Sequence, residues 1–201
     1  MRDPRVPATL LLLAGALLMP LSGRAEGDLY LDLDSYEEPS GLVTLDRPNE
    51  DWSFVDLAEQ RRRAALEMPA ARVDEAFAGL IARLHLPAVH ATVSIFTFDL
   101  AAGCDLAACE AHVKKQVDLR KGTLREAVRG KVGTADVVRV DFTQTLEGIH
   151  GQPDGVYFMS RIDCPRPDRK KLVVLILEVP EKEYKSIKRE YAKILKSLKL
   201  P

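Results

Sequence analysis

The chain has 201 residues, 46% of them hydrophobic and 29% charged, with 29 basic against 30 acidic side chains and a formal net charge of -1. A near-balanced charge of this kind excludes a polyanion binder, so no nucleic-acid partner is expected. The length suits one ordinary domain that buries most of its apolar surface without help from disulfides, and no internal repeat or low-complexity tract interrupts it.

Residues 1–25 have the pattern of a secretory signal. Arg2 and Arg5 precede an apolar run, LLLLAGALLMPL, and Gly23-Arg24-Ala25 places small residues at the cleavage positions. Cleavage after Ala25 is expected, because the run is shorter than the ~20 residues that span a bilayer. It moves the formal charge from -1 to -3, since Arg2, Arg5 and Arg24 leave together with Asp3. The protein is then exported, periplasmic or extracellular, with no stable membrane span after signal cleavage.

Residues 26–40, EGDLYLDLDSYEEPS, read as an acidic N-terminal arm rather than a calcium loop, because the EF-hand spacing and its turn glycine are missing. A single domain over 41–201 follows. Its first elements are a strand at Leu42–Leu45, a turn at Asp46-Arg47-Pro48-Asn49 and a second strand at Trp52–Val55, read as a hairpin with Trp52 as a core anchor. Residues 57–75 favour a helix up to Met68, stopped by Pro69. Arg61, Arg62 and Arg63 fit a solvated helix face; the alternative is a contact with an anionic partner.

From Phe77 the pattern is that of a sheet, with AGLIARLHL and HATVSIFTFDL separated by Pro87-Ala88-Val89. Phe96, Phe98 and Leu100 line one side of the second run and Val93 and Ile95 the other. Leu106, Cys109, Val113 and Val117 then fall at helical spacing behind Asp105, a candidate cap, which turns His112 toward solvent. Thr123-Leu-Arg-Glu126 has capping-box spacing and suggests a short helix over 122–131. Three strands follow, ADVVRVDFTQTL, GVYFMSRIDC and KLVVLILEV, the last apolar from Leu172 to Leu177 and so the candidate centre of the sheet. Glu181–Leu200 closes the chain as an amphipathic helix with Tyr184, Ile187, Tyr191, Ile194, Leu195 and Leu198 on one stripe.

The segment GCDLAACEAH carries the densest chemistry. A thioredoxin-type pair has two residues between its thiols, and here there are four; Cys104, Cys109 and His112 make a metal site only if Cys104 folds back over the helix. A structural disulfide suits an exported chain better. Cys104 with Cys109 is favoured, although residues five apart in a regular helix are too far to bridge, and Cys164 is the competing partner. Among the strands, Arg139 and Asp141 alternate with Val138, Val140 and Phe142, so with Arg161 they mark a wet face able to take a ligand. His150 near Asp154 is a candidate acid–base pair without an attached nucleophile. No catalytic or metal-binding set and no cofactor site is assigned.

The order of elements, DRPNEDWSF near the start with its Pro-x-x-x-Trp-x-Phe spacing, ATVSIFTFDL before the first core helix, and KREYAKILKSLKL at the end resemble the PsbP-like family. Its superfamily holds the extrinsic photosystem subunit, DcrB-type exported proteins and the nuclear Ran-release factor. The resemblance runs over Gly41–Leu200, with 57–75 as an insertion. It implies an α+β fold, an α/β/α sandwich with a central, mostly antiparallel sheet and a long C-terminal amphipathic helix. It also implies a non-catalytic binding or assembly role toward a macromolecular partner, a protein. The alternatives are a small-ligand or metal binder and an unrecognised hydrolase using His150.

Overall fold

The computed structural model describes residues 29–146 and 154–200. The signal segment with its cleavage point, and His150, lie outside the described residues.

Among the described residues, ten strands and four α-helices follow one another. β1 is Tyr30–Leu31, β2 Ser35–Glu37, β3 Thr44–Asp46 and β4 Ser53–Val55; α1 is Leu57–Glu67 and α2 Ala70–Phe77. Then come β5 (Leu80–Leu86), β6 (Ala91–Asp99), α3 (Leu106–Leu119), β7 (Thr123–Val132), β8 (Ala135–Leu146), β9 (Gly155–Arg166), β10 (Lys171–Pro180) and α4 (Tyr184–Ser197). Eight strands form one sheet in the order β1-β4-β5-β6-β10-β9-β8-β7, every neighbouring pair antiparallel, and β2-β3 forms a small second sheet.

Continuous apolarity places β10 where expected. It sits between β6 and β9, with Leu172 to Val179 buried on both faces. The run from Leu172 to Leu177 is apolar at every position and has no side to offer water, so it is driven to the middle and covered twice, with the charged Glu178 buried beside it.

The sheet is covered on both faces. One face, with Val93, Ile95, Leu175, Leu177 and Val179, packs against Ile187, Tyr191 and Ile194 of α4 and against Trp52, which is fully buried with its indole N–H 3.4 Å from the Glu190 carboxylate. The other face, with Phe96, Val138, Val140 and Val174, packs against Cys109, Val113 and Val117 of α3, while α1 and α2 meet the same face through Leu80. This is the α/β/α sandwich. Helix ends follow local chemistry: the Asp56 carboxylate accepts from the amides of Ala58 and Glu59 at the start of α1, the Asp105 carboxylate accepts from Ala108 at the start of α3, and Pro69 separates α1 from α2.

Several expectations are revised. Strands 42–45 and 52–55 do not form a hairpin. β3 pairs with β2, whereas β4 pairs with β1 on one side and β5 on the other. The acidic arm is thereby stitched into the domain, since β1 and β2 both lie within 26–40, and Leu29 is buried. Residues 70–77, with Val73, Ala76 and Phe77 turned inward, form a helix that the alanine-rich stretch concealed. The helix expected over 122–131 is instead β7, joined to β8 by the two-residue turn Gly133-Thr134, with Gly133 at φ +60°. A local capping pattern is worth about a kilocalorie, less than a nine-residue ladder to β8 supplies. Finally, α4 spans Tyr184–Ser197 and is preceded by a 3-10 turn at Glu181–Glu183. The last residues are extended, with Lys199 bridged to Thr44.

Candidate functional site

The face expected from Arg139, Asp141 and Arg161 does not exist as one surface. In the β8–β9 register Arg161 lies opposite Val140, so it shares the α3 face, while Arg139 and Asp141 share the α4 face with Ser160. Nor is the α4 face wet there. Asp141 is buried and accepts from the Ser160 hydroxyl at 2.6 Å, Ser160 in turn accepts from the Tyr191 hydroxyl at 3.1 Å, and Arg139 reaches Glu126 at 2.6 Å. Burial pushes the Asp141 carboxyl up, against the opposing pull of Ser160 and Arg139, and burial pushes the Tyr191 phenol up as well. This chain of hydroxyls under α4 is a satisfied polar seam in the core.

Charge on the α3 face is internally matched in the same way. Arg161 donates through Nε at 2.6 Å and Nη2 at 3.0 Å to the two oxygens of Asp163, both residues being buried. Arg83 is buried beneath α1, donating to Ser94 at 3.0 Å and to Gln60 at 3.1 Å, and its guanidinium is pushed down to about 10 by burial, with Glu178 opposing. Ions bonded in this way already have their donors and acceptors engaged within the fold rather than held open for a ligand. The expectation that His112 faces water is corrected. It is half-buried, its pKa is lowered by burial with Arg161 adding to the effect, and Nε2 is buried with no hydrogen-bond partner among the described residues.

The cysteines separate by face. Cys164 is buried on the α4 side and Cys109 on the α3 side, so the sheet itself stands between them and Cys164 is no partner for either of the others. Cys104 lies just ahead of the capping Asp105, outside the helix, and the loop brings its Sγ to 3.4 Å from that of Cys109. Among the described residues no group of three or more His, Cys, Asp or Glu is placed to hold a metal ion.

Among the described residues, β7 is an open feature of the fold. It ends the large sheet with ten residues, eight of them exposed, including Leu124 and Val128, whereas the opposite edge is closed by the two-residue β1. Half the backbone donors and acceptors of an antiparallel edge strand point outward and are left for another strand. Arg125, Arg129 and Lys131 stand along it against a single acid, Glu126. Their partners are Glu181 at 2.8 Å, Glu110 at 2.9 Å and Asp136 at 3.3 Å, on neighbouring elements. Such half-exposed pairs contribute little and exchange readily. Sequence reasoning missed this edge because its signal, a Gly-Thr turn between alternating runs, is weaker than the capping pattern laid over it.

No protein-family model matches the chain, and no curated protein matches it in sequence. Among solved structures, the solution structure of cyanobacterial PsbP from Synechocystis sp. PCC 6803 superimposes with a TM-score of 0.54 at 13% identity, covering 90% of this chain and 99% of that one. The Ran-binding protein Mog1p of Saccharomyces cerevisiae gives a TM-score of 0.49 at 14% identity over 83% of this chain and 94% of that one. A Pseudomonas aeruginosa protein of unknown function, described as a putative regulator, gives 0.46 at 11% identity over 53% and 70%. The fold is PsbP-like, as the resemblance implied.

Proposed function

We propose that this chain is an exported, non-catalytic binding or assembly protein that takes up an extended, acidic segment of a protein partner as a ninth strand beside β7. The observation that carries the reading is the edge itself: ten residues long, uncovered among the described residues, and lined by three cations against one acid. Export rests on the N-terminal signal pattern. No helix of the described residues is long and apolar enough to cross a membrane.

Strand addition supplies main-chain hydrogen bonds, and side chains at alternate positions supply selectivity. A second copy of the same strand is a poor occupant. Two-fold pairing centred on residues 126, 129 or 130 sets Glu126 against Glu126, Arg129 against Arg129 or Arg129 against Lys131, and like charges directly opposite destabilise a pair, while the bulge between Leu124 and Glu126 interrupts the registers centred on 127 and 128. An acidic strand that sets its carboxylates opposite Arg129 and Lys131 and an apolar residue opposite Glu126 avoids these conflicts.

The test uses synthetic peptides of about ten residues, the length of β7, alternating Val with Glu or Val with Lys. The Val-Glu peptide is expected to bind the full chain, to protect β7 amides from hydrogen exchange and to weaken as salt rises. Reversing Arg125 and Arg129 together to Glu should weaken it about tenfold, the worth of two rim pairs. N-methylating the amides along one edge of the peptide should abolish binding while the other edge tolerates it. Equal binding of Val-Lys and Val-Glu peptides, or indifference to N-methylation on both edges, would refute the proposal.

A further inference from the structure

The thiol pair at the start of α3 stands apart from the edge strand and carries its own inference. Cys104 Sγ and Cys109 Sγ are 3.4 Å apart, so roughly 1.4 Å of approach separates contact from a covalent bond of ~2.05 Å. The spacing that forbids this bridge within a helix does not apply, because Cys104 precedes the cap and folds back over the first turn. Room for the movement is present. Gly103 has φ +77° and would meet nothing within 4 Å if it carried a Cβ, so the loop ahead of Cys104 runs through open space.

The two sulfurs differ in access. Cys104 lines a surface cleft of about 420 Å³ together with Leu100, Ala101, Gly103, Pro167 and Lys170. Cys109 is 2% exposed, among Val113, Val117 and the sheet, and is absent from the cleft lining; burial pushes its thiol well up. An incoming reagent therefore meets Cys104 first.

We propose that Cys104 and Cys109 are a reversible thiol–disulfide site in which Cys104 exchanges with a low-molecular-weight disulfide entering the cleft and Cys109 resolves the product. In the first step the Cys104 thiolate attacks one sulfur of the reagent, whose S–S bond breaks, and the leaving thiolate takes up a proton. In the second the Cys109 thiol gives up its proton and its sulfur attacks Cys104 Sγ, releasing the second reagent thiol. Two protein thiols are oxidised and one reagent disulfide is reduced to two thiols, so electrons and protons balance. Closure ties the 101–104 loop to the first turn of α3, beside the β9–β10 turn that contributes Pro167 and Lys170 to the same cleft.

The experiment treats the reduced full-length protein with glutathione disulfide and follows intact mass and peptide maps. Wild type is expected to pass through a transient single glutathione adduct on Cys104 and finish two hydrogens lighter, with the 104 and 109 peptides joined. The resolving step should quicken about tenfold per pH unit between pH 7 and 9, as a buried thiol must ionise to act. Cys109→Ser should stop at the stable adduct on Cys104, and Cys104→Ser should stay unmodified at Cys109; circular dichroism confirms that both variants fold. Three free thiols after treatment, a permanent adduct on wild type, adduct formation first at Cys109, or a bridge to Cys164 would each overturn the assignment.

Discussion

Acid should weaken this fold before its carboxylates begin to titrate, because of one histidine. His85 lies in β5, its Nδ1 2.8 Å from the Tyr30 hydroxyl and its ring stacked on the tyrosine with centroids 5.9 Å apart, while Nε2 is buried with no hydrogen-bond partner among the described residues. Burial pushes its pKa down to about 4, and the cationic forms of His90 and Arg83 push in the same direction. The unfolded chain binds the proton near 6.5 and the folded chain only near 4. A group whose folded pKa is depressed contributes stability that is fully present above the unfolded value and is lost as pH falls toward the folded one. At pH 5 the loss relative to pH 8 comes to about 2 kcal/mol, growing to about 3 kcal/mol below pH 4. For a domain of this size that lowers Tm by about 4–8 °C between pH 8 and pH 5. The assay is urea unfolding from pH 8 to pH 5, above the usual carboxylate range, on wild type and His85→Gln. Wild type should lose stability with a slope of about one proton, steepened slightly by His112, whose pKa is lowered in the same sense. The variant should lose that one-proton slope and keep only the shallower fall due to His112. Parallel curves for the two proteins would refute the assignment of the loss to His85.

Two further substitutions test the packing. Ile194→Ala empties a fully buried position where α4 meets the sheet and should cost about 2–5 kcal/mol, read as a lower urea midpoint at unchanged slope; a loss below 1 kcal/mol would mean that α4 is not docked as described. Gly79→Ala should destabilise by about 1–3 kcal/mol, because Gly79 has φ +73° and any Cβ there would lie 2.5 Å from the Thr97 carbonyl oxygen, a distance no β-carbon holds; a neutral effect would mean that the turn into β5 is built differently.

Elements whose side chains announce their own environment were legible in the sequence. Leu172–Leu177 is apolar throughout and lies in the centre; Ile187, Tyr191 and Ile194 recur at helical spacing and are buried; Phe96 and Ile95 alternate and reach opposite faces. Each case has one period and one dominant burial term. Where two local signals compete, the sequence misleads. Thr123–Glu126 carries helix-start chemistry and strand alternation at once, and the outcome is set by the unpaired edge of β8, a partner from outside the segment. The same holds for Thr44–Asp46 and Ser53–Val55: each has strand character, yet which strand each joins depends on the acidic arm, whose leucines and tyrosines look like an exposed tail until they pair.

The site was less legible than the fold, and for a definite reason. Polar residues alternating along β8 read as a wet face, but alternation reports only which residues share a side, and a later helix can roof that side; Tyr191 and Ser160 convert Asp141 from a ligand group into a core acceptor. Register decided the rest. Arg161 sits one position away from joining Arg139 and Asp141, and because side chains in a strand alternate faces, that single step sends it through the sheet to Asp163. The thiol pair was visible as composition yet not as geometry, since five positions along a helix and five across a cap are different distances. An open strand edge has no residue alphabet at all: its chemistry belongs to backbone N–H and C=O groups that every sequence carries, and only the topology tells which of them go unpaired. On a fold whose charged side chains largely bond to one another, the proposed partner's foothold is therefore to be sought first in the main chain of β7, with Arg129 and Lys131 proposed to select among the strands that could pair there.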